Sequence, residues 1–120
     1  MSSSNDYLLY ILDLLKDIPG ITYKKMMGEF ILYKNSVIFG GVYDNRLLVK
    51  KTKSILDMGL HEQIPYPGAK PMLLIDSEDS DVIEDIINKV YNDLVQIWNI
   101  LINMSIHIIH MIRINQSKNI

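Results

Sequence analysis

Apolar residues near the amino terminus recur at helical spacing. They occupy positions 8, 11, 12, 15 and 18, and Asn5 or Asp6 stands where a helix cap is expected. Pro19 and Gly20 follow, and this pair ends a helix because proline restricts the preceding backbone and glycine frees the chain to turn. The pattern predicts a short amphipathic helix with one buried face.

From Ile21 to Lys51 the apolar residues gather in short runs rich in Tyr, Phe, Ile and Val. The runs are separated by Lys34-Asn35-Ser36 and by Asp44-Asn45, which tolerate the left-handed backbone of tight hairpins. Three or four antiparallel strands in a meander are predicted. Gly40 and Gly41 lie inside the third run, where missing side chains indicate a bulge or a close backbone approach.

The second half of the chain predicts helix, strand and helix. A weak helix is expected from Lys53 to Leu60, with Thr52 as its cap, before a proline-rich extended loop. A buried strand follows from Pro71 to Ile75. Acids and hydroxyls from Ser77 to Asp81 favour a helix start, because negative charge there complements the helix dipole. The apolar stripe of that helix is Val82, Ile83, Ile86, Ile87, Val90 and Leu94.

This order of elements predicts a two-layer α+β domain. An antiparallel β-meander plus one further strand is expected to be flanked by N-terminal, short middle and C-terminal helices. The 120 residues are 48% hydrophobic, which is enough for one core, and they include no cysteine for disulfides or thiolate chemistry. The first residues lack the positive charge of a signal peptide, so a cytoplasmic location is expected.

Three segments carry a family resemblance: Met26-Met27-Gly28-Glu29, Gly40 to Lys50, and Pro65 to Met72. Together they resemble the TfoX amino-terminal-domain family. The motif residues are Met27, Gly28, Glu29, Gly40, Gly41, Asp44, Arg46, Lys50, Gly68 and Lys70.

The resemblance covers roughly residues 7–94, and residues 1–94 are taken as the TfoX-like domain. In that family the domain stands at the front of bacterial competence regulators that act with the cAMP receptor protein, and it also occurs as short standalone proteins. This chain is similar to the standalone kind. The standalone members have no assigned activity, and the resemblance implies a regulatory or protein-interaction module. Because the sequence contains no reactive constellation, a non-enzymatic role without a cofactor is favoured over an enzymatic one, and the question of an enzymatic activity stays open. Similar folds include secretion chaperones that form homodimers, so a protein partner or a second copy is expected.

Candidate anion- or partner-binding residues lie within these segments. Arg46 and Lys50 would share one strand face, because side chains at i and i+4 of a strand point together. Tyr66 and Lys70 belong to a rigid loop that could present them to a ligand. The alternative is structural, with Arg46 paired to a nearby carboxylate or helix end and the loop acting as a connector.

Charge is unevenly distributed along the chain. Cations dominate from Lys24 to Lys53, whereas acids dominate from Asp76 to Asp93. A basic sheet could attract phosphate backbones, and nearby aromatics could stack on bases. These aromatics are Tyr23, Phe30, Tyr33 and Tyr43. The alternative function is therefore a nucleic-acid-associated factor, either a transcription co-regulator or an RNA-processing or methyltransferase-related protein. The same charge and aromatic pattern also has a structural explanation: lysines often lie on solvated strand edges, and tyrosines are common in half-buried sheets.

Catalytic motifs are missing from the sequence. Met26 and Met27 are expected to fill irregular core space, and Glu29 to face water. His107 and His110 would share one helix face, but a third metal ligand is not placed near them, so no metal site is predicted.

Residues 95–120 form an atypical apolar tail rich in isoleucine, asparagine and methionine. One interpretation is a frameshift or read-through in an AT-rich genome, or a divergent tail. A second is an extension of the last helix whose apolar face covers a partner. The third, a membrane segment, is opposed by Gln96, Asn99, Asn103, His107 and His110, which are costly in hydrocarbon.

Overall fold

The computed structural model describes the backbone of residues 2–118 and the side-chain surroundings of residues 2–114. It has an α+β fold, as the sequence pattern predicts. Helix α1 is Asn5–Leu14 and helix α2 is Ser80–Lys118, with a 3-10 helix at Lys53–Ile55. Strands β1 to β6 are Ile21–Met26, Glu29–Lys34, Val37–Val42, Leu47–Val49, Glu62–Gln63 and Met72–Ile75.

The strands form one antiparallel sheet in the order β1-β2-β3-β4-β6-β5. The first four make the predicted meander. Two-residue turns join them at Met27-Gly28, Asn35-Ser36 and Asp44-Asn45, where both residues of each pair have positive φ. Such turns match the twist of the strands they connect. Two of the three turns were predicted from their Asn, Asp and Ser residues.

The predicted irregularity in the third strand is a β-bulge. Leu32 pairs with Gly40 and Tyr33 with Ile38, so that Phe39 is the extra residue. A Cβ atom on Gly40 would collide with the carbonyl oxygen of Leu48. The bulge and the close backbone approach therefore occur together, and they bring β4 tightly against β3.

Both helices pack on the same face of the sheet. Leu8 and Ile11 of α1 and Ile83, Ile86 and Ile87 of α2 enter a single core with the inward side chains of the sheet. The sheet contributes Phe30, Leu32, Phe39, Val42, Leu47, Val49, Leu73 and Ile75 to this core. The opposite face has no helix over it.

Three local predictions are wrong in detail. The cap of α1 is Ser4, whose hydroxyl accepts from the Tyr7 N–H at 3.1 Å, rather than Asn5 or Asp6. The middle helix is a 3-10 helix of three residues and does not extend to Leu60. Val82, expected in the buried stripe of α2, is 42% exposed because it lies on the side of the helix away from the sheet.

Helix α2 continues well beyond the sheet. Residues 80–94 supply its packed face, whereas every side chain from 96 to 114 is exposed. The helix gives the molecule a longest dimension of 65 Å. By length and composition, α2 is the one helix in the described chain that could cross a membrane, with a window of mean hydropathy 1.4. The predicted tail continues past this region, and side chains 115–120 lie outside the described residues.

Candidate functional site: the outer face of the sheet

The outer face of the sheet, opposite the helices, carries two adjoining cavities. Both are lined by Tyr43, Pro65 and Tyr66. One cavity, of about 660 Å³, extends toward Lys50 and Lys70 and is called here the basic cavity. The other, of about 750 Å³, extends toward the Met27-Gly28 turn and is called here the apolar cavity. The loop of residues 64–71 forms their shared wall.

Arg46 holds this loop against the sheet. Its Nη1 donates to the side-chain oxygen of Gln63 at 2.7 Å, and its Nη2 donates to the carbonyl of Ile64 at 3.3 Å. Its Nε donates to the carbonyl of Tyr43 at 3.1 Å. Each guanidinium nitrogen therefore has a protein acceptor, which favours a structural role for Arg46. The acceptors are carbonyl and amide oxygens and not the carboxylate or helix end that the sequence suggested.

Tyr43 forms the floor between the two cavities. A Cβ atom on Gly41 would lie 2.6 Å from the Tyr43 ring, so glycine leaves the space that this ring occupies. The ring is 6.2 Å from that of Tyr66, measured between centroids. Burial, followed by the proximity of Tyr66 and Glu29, raises the pKa of Tyr43 above its ordinary value. Its hydroxyl is therefore protonated at neutral pH.

The basic cavity brings together three of the four candidate binding residues, Lys50, Tyr66 and Lys70. Neither Lys50 nor Lys70 takes part in the ion pairs found within residues 2–114, whereas neighbouring Lys51 pairs with Glu62 at 3.1 Å. Two ammonium groups beside an exposed tyrosine can attract an anionic group, although solvent weakens each such contact.

The apolar cavity has a rim of exposed apolar side chains. Met26 is 48% exposed, Met27 is 96% exposed, and Ile64 and Tyr66 are each more than half exposed. The prediction that the two methionines fill the core is wrong, because both side chains are exposed and Met27 occupies a turn position with φ of 52°. The rim of this cavity is therefore apolar, and its unbranched methionine side chains can adopt several conformations.

Glu29 ties the amino terminus to the edge of this face. Its carboxylate accepts from the backbone N–H groups of Ser3 and Asp44, both at 2.7 Å. The hydroxyl of Ser3 in turn accepts from the N–H of Asn45 at 3.0 Å. The expectation that Glu29 faces water is wrong, since its two oxygens stabilise the segment before α1 and the Asp44-Asn45 turn.

The remaining predicted site residues have backbone roles or lie elsewhere. Gly28 and Gly68 adopt positive φ at turns. Phe30 lies in the core at 2% exposure, so it cannot stack on a base. His107 and His110 are exposed on α2, and the described residues include no cluster of three His, Asp or Glu side chains that could hold a metal ion.

Sequence reasoning missed Ile64, which lines the apolar cavity. It placed Met72, which lines the basic cavity, in the Pro65 to Met72 segment but gave it no role in a site. The only local signal for either residue was its position in or beside the proline-rich segment. Their neighbours in the cavities come from strands distant in sequence, and no spacing rule connects them.

This fold and face define a small α+β domain with an open, partly apolar and partly basic sheet surface.

No family model matches the chain. It is 30% identical over 87 residues to the "Uncharacterized 12.7 kDa protein in trpE 5'region" of Spirochaeta aurantia, across 71% of this chain and 72% of that protein. The chain therefore belongs to the same family as the Spirochaeta aurantia protein. The TfoX-like resemblance stays a prediction.

Proposed function

We propose that this protein is a non-enzymatic regulatory interaction module of the TfoX amino-terminal-domain type that acts in the cytoplasm. Its outer sheet face docks a protein partner. The observation that carries the proposal is the junction of the apolar and basic cavities, where exposed Met27, Ile64 and Tyr66 adjoin Lys50 and Lys70.

The shape and chemistry of this face favour an extended peptide segment. The two cavities run on either side of Tyr43 and Tyr66 along the wall formed by the 64–71 loop. An apolar side chain fits beside the methionines, and an acidic group fits beside the lysines. Because Arg46 anchors the loop, the face is formed before binding and little ordering free energy is lost there.

Affinity capture from the host's lysate, with nuclease present, tests this proposal. We expect a stoichiometric protein partner to be retained by the wild-type chain. The double variant Ile64→Glu with Tyr66→Glu should lose it, because two charges would enter the apolar cavity. The matched control is Leu9→Glu with Leu56→Glu, at apolar side chains that are 62% and 56% exposed elsewhere on the surface.

Retention of the same partner by the Ile64 and Tyr66 variant would refute docking at this face. Equal loss from both double variants would also refute it, because the effect would then follow from added charge and not from position. Circular dichroism of each variant establishes that the domain remains folded.

Association with nucleic acid is the second candidate, and the uncommitted Lys50 and Lys70 beside Tyr66 favour it. Binding to a single-stranded oligonucleotide should then weaken steeply as salt rises. Lys50→Glu with Lys70→Glu should abolish binding. The control is Lys16→Glu with Lys89→Glu, which changes the net charge by the same amount. Both lysines lie away from the cavity and already pair with a helix carboxylate, Lys16 with Asp13 and Lys89 with Asp85. Affinity that does not vary with salt would exclude this candidate.

A further inference from the structure

Strand β1 lies at an open edge of the sheet. In the described part of the chain its neighbour in the sheet is β2 alone, and five of its six residues are exposed. The strand at the opposite edge, β5, is shorter, with two residues, and its Glu62 pairs with Lys51. An exposed edge strand presents a row of unpaired backbone N–H and C=O groups, and β1 is the longer of the two edges.

The register of β1 against β2 determines which of these groups are free. The residues that flank a two-residue turn form a hydrogen-bonded pair, and here they are Met26 and Glu29. Bonded and non-bonded pairs alternate along antiparallel strands, so the N–H and C=O groups of Tyr23 and Lys25 point away from β2. A helix satisfies its own backbone groups, whereas an extended segment presents donors and acceptors at the spacing of this row. The backbone of β1 therefore selects a strand as its occupant.

The charge of β1 selects an acidic strand. Lys24 lies opposite Ile31 and Lys25 lies opposite Phe30, so neither lysine has a carboxylate across the pair. Neither takes part in the ion pairs found within residues 2–114. The sequence of β1 contains no acid, so a second copy of this strand would bring more lysines to the same edge, and like charges on paired strands are destabilising. Charge complementarity therefore favours an acidic segment of another protein over a second copy.

The side chains of β1 also set the order of residues that fits it. Lys24 and Lys25 point to opposite faces of the sheet, so two adjacent acids on an added strand would each meet one lysine. Tyr23 and Met26 flank the lysines and are 50% and 48% exposed. The Tyr23 ring meets that of Phe30 edge-on, with 6.1 Å between centroids. Because aromatic and β-branched side chains pair well across strands, an acidic pair between β-branched residues fits this edge.

We propose that β1 binds an extended acidic segment of a partner protein, which adds to the six-stranded sheet as a seventh strand. Two adjacent acids of the segment pair with Lys24 and Lys25, and β-branched residues lie on either side of them. Backbone hydrogen bonds to Tyr23 and Lys25 attach the segment, and the two charge pairs provide specificity. These backbone groups lie at the edge of the sheet and not on its outer face, so binding here does not require docking at the two cavities.

NMR titration of the ¹⁵N-labelled full chain with the peptide acetyl-Thr-Val-Glu-Glu-Val-Thr-amide tests the proposal. We expect the amide protons of Tyr23 and Lys25 to exchange rapidly with solvent in the free chain, and at least about ten-fold more slowly when the peptide is saturating. A matched peptide with two lysines in place of the glutamates should bind at least about ten-fold more weakly, because both charge pairs become repulsive.

Two N-methylated isomers of the acidic peptide separate backbone pairing from charge. Both isomers carry the same charges, but their methyl groups lie on alternate sets of amides. Since the N–H groups of a strand alternate in direction, the methyl groups face β1 in one isomer and face away from it in the other. We expect one isomer to keep binding and the other to lose it. Loss from both isomers, or from neither, would overturn the proposal.

Charge reversal in the chain locates the site. Lys24→Glu with Lys25→Glu should lose the acidic peptide and bind the lysine peptide instead. The control Lys50→Glu with Lys70→Glu changes the net charge equally in the basic cavity and should bind the acidic peptide as the wild-type chain does. Circular dichroism of both double variants establishes that they remain folded.

Three further results would overturn the proposal. The first is no change in the spectrum at about 5 mM acidic peptide, since even weak strand pairing would be detected at that concentration. The second is equal loss of binding in the Lys50 and Lys70 control, which would place the peptide in the basic cavity. The third is protection of the Tyr23 amide in the free chain that increases with protein concentration, because a second copy would then occupy the edge.

Discussion

Residues 80–94 and residues 95–114 belong to one continuous helix, and apolar side chains recur at the same alternating intervals in both. In the first half, Ile83, Ile87 and Val90 are fully buried under the sheet. In the second half, the equivalent Leu101 and Ile108 are more than half exposed. The comparison teaches that apolar periodicity predicts a helix and its face, whereas burial depends on what the rest of the molecule places against that face.

The comparison would be tested most strongly by matched truncations in the two halves. Ile87→Ala removes a fully buried side chain and should lower the free energy of unfolding by about 2–5 kcal/mol. Ile108→Ala, at the equivalent position in the exposed half, should leave the unfolding of the domain within about 0.5 kcal/mol of wild type. Urea titration followed by circular dichroism measures both. Equal losses would mean that the exposed half contributes to the core.

The buried half of α2 also makes a polar contact with strand β2. The Lys34 ammonium donates to the side-chain oxygen of Asn88 and lies 5.1 Å from the ring centroid of Tyr91. Lys34→Met keeps the buried stem but removes the donor, and should cost about 1–3 kcal/mol because Asn88 loses a charged partner. The control Lys25→Met lies on the exposed edge strand. If Lys34→Met lowers the free energy of unfolding by no more than Lys25→Met does, the contact of Lys34 with Asn88 does not stabilise the domain.

Asp93 lies where the packed half of the helix ends. The backbone N–H of Ser54 donates to its carboxylate at 2.8 Å, and the Ser54 hydroxyl donates to the other oxygen. Asp93→Ala should therefore cost about 1 kcal/mol, as the loss of a cap does. Asp85→Ala removes only an exposed ion pair with Lys89 and should cost less, about 0.5 kcal/mol.

The same residue predicts a pH dependence. Partial desolvation raises the pKa of Asp93, but the hydrogen bonds from Ser54 outweigh it and lower the pKa below the ordinary 3.8. A depressed pKa means that this stabilisation is present above about pH 3.8 and is lost as the pH falls through the lower folded value. Unfolding measured from pH 7 to pH 2 should show the Asp93→Ala difference shrinking only at the acid end. A difference that is constant with pH would contradict this.

Removing the part of α2 beyond Asn99 should have the smallest effect on the free energy of unfolding. A chain ending at Asn99 keeps Trp98, which lines a shallow cavity with Val37 and Lys50, and the side chains 100–114 that it loses are exposed. Its unfolding free energy at low protein concentration should stay within about 0.5 kcal/mol of wild type. A larger loss would show that residues 100–114 support the domain directly.

Much of the fold could be predicted because local chemistry decides it. The Asn35-Ser36 and Asp44-Asn45 turns need left-handed backbone, which Asn and Asp tolerate well, so each hairpin was predictable from a few residues. The form of the middle element, the 3-10 helix at Lys53–Ile55, could not be predicted in this way. Its backbone donor at Ser54 is satisfied by Asp93, which is distant in sequence, and a 3-10 turn suffices to bring the two together.

The candidate site was predictable only in part. The sequence paired Arg46 with Lys50 on a strand and Tyr66 with Lys70 on a loop. The structure brings Lys50, Tyr66 and Lys70 to one cavity, whereas Arg46 lines the other. The contacts of Arg46 could not be foreseen, because its acceptors at Gln63 and Ile64 come from a loop whose path depends on β5 pairing with β6. Met27 was misjudged since an apolar side chain at a turn resembles a core residue in sequence.

By itself the sequence determined much of the local structure of this protein: where α1 and the packed part of α2 lie, where two of the three hairpin turns fall, and that a seam of apolar side chains runs along α2. These are properties of neighbours a few residues apart, and backbone sterics and side-chain periodicity are sufficient to set them. Only the tertiary structure decided which part of that seam is covered, which sheet face stays open, and which side chains meet around Tyr43. Those outcomes depend on contacts between segments far apart in the chain, for which local spacing carries no information.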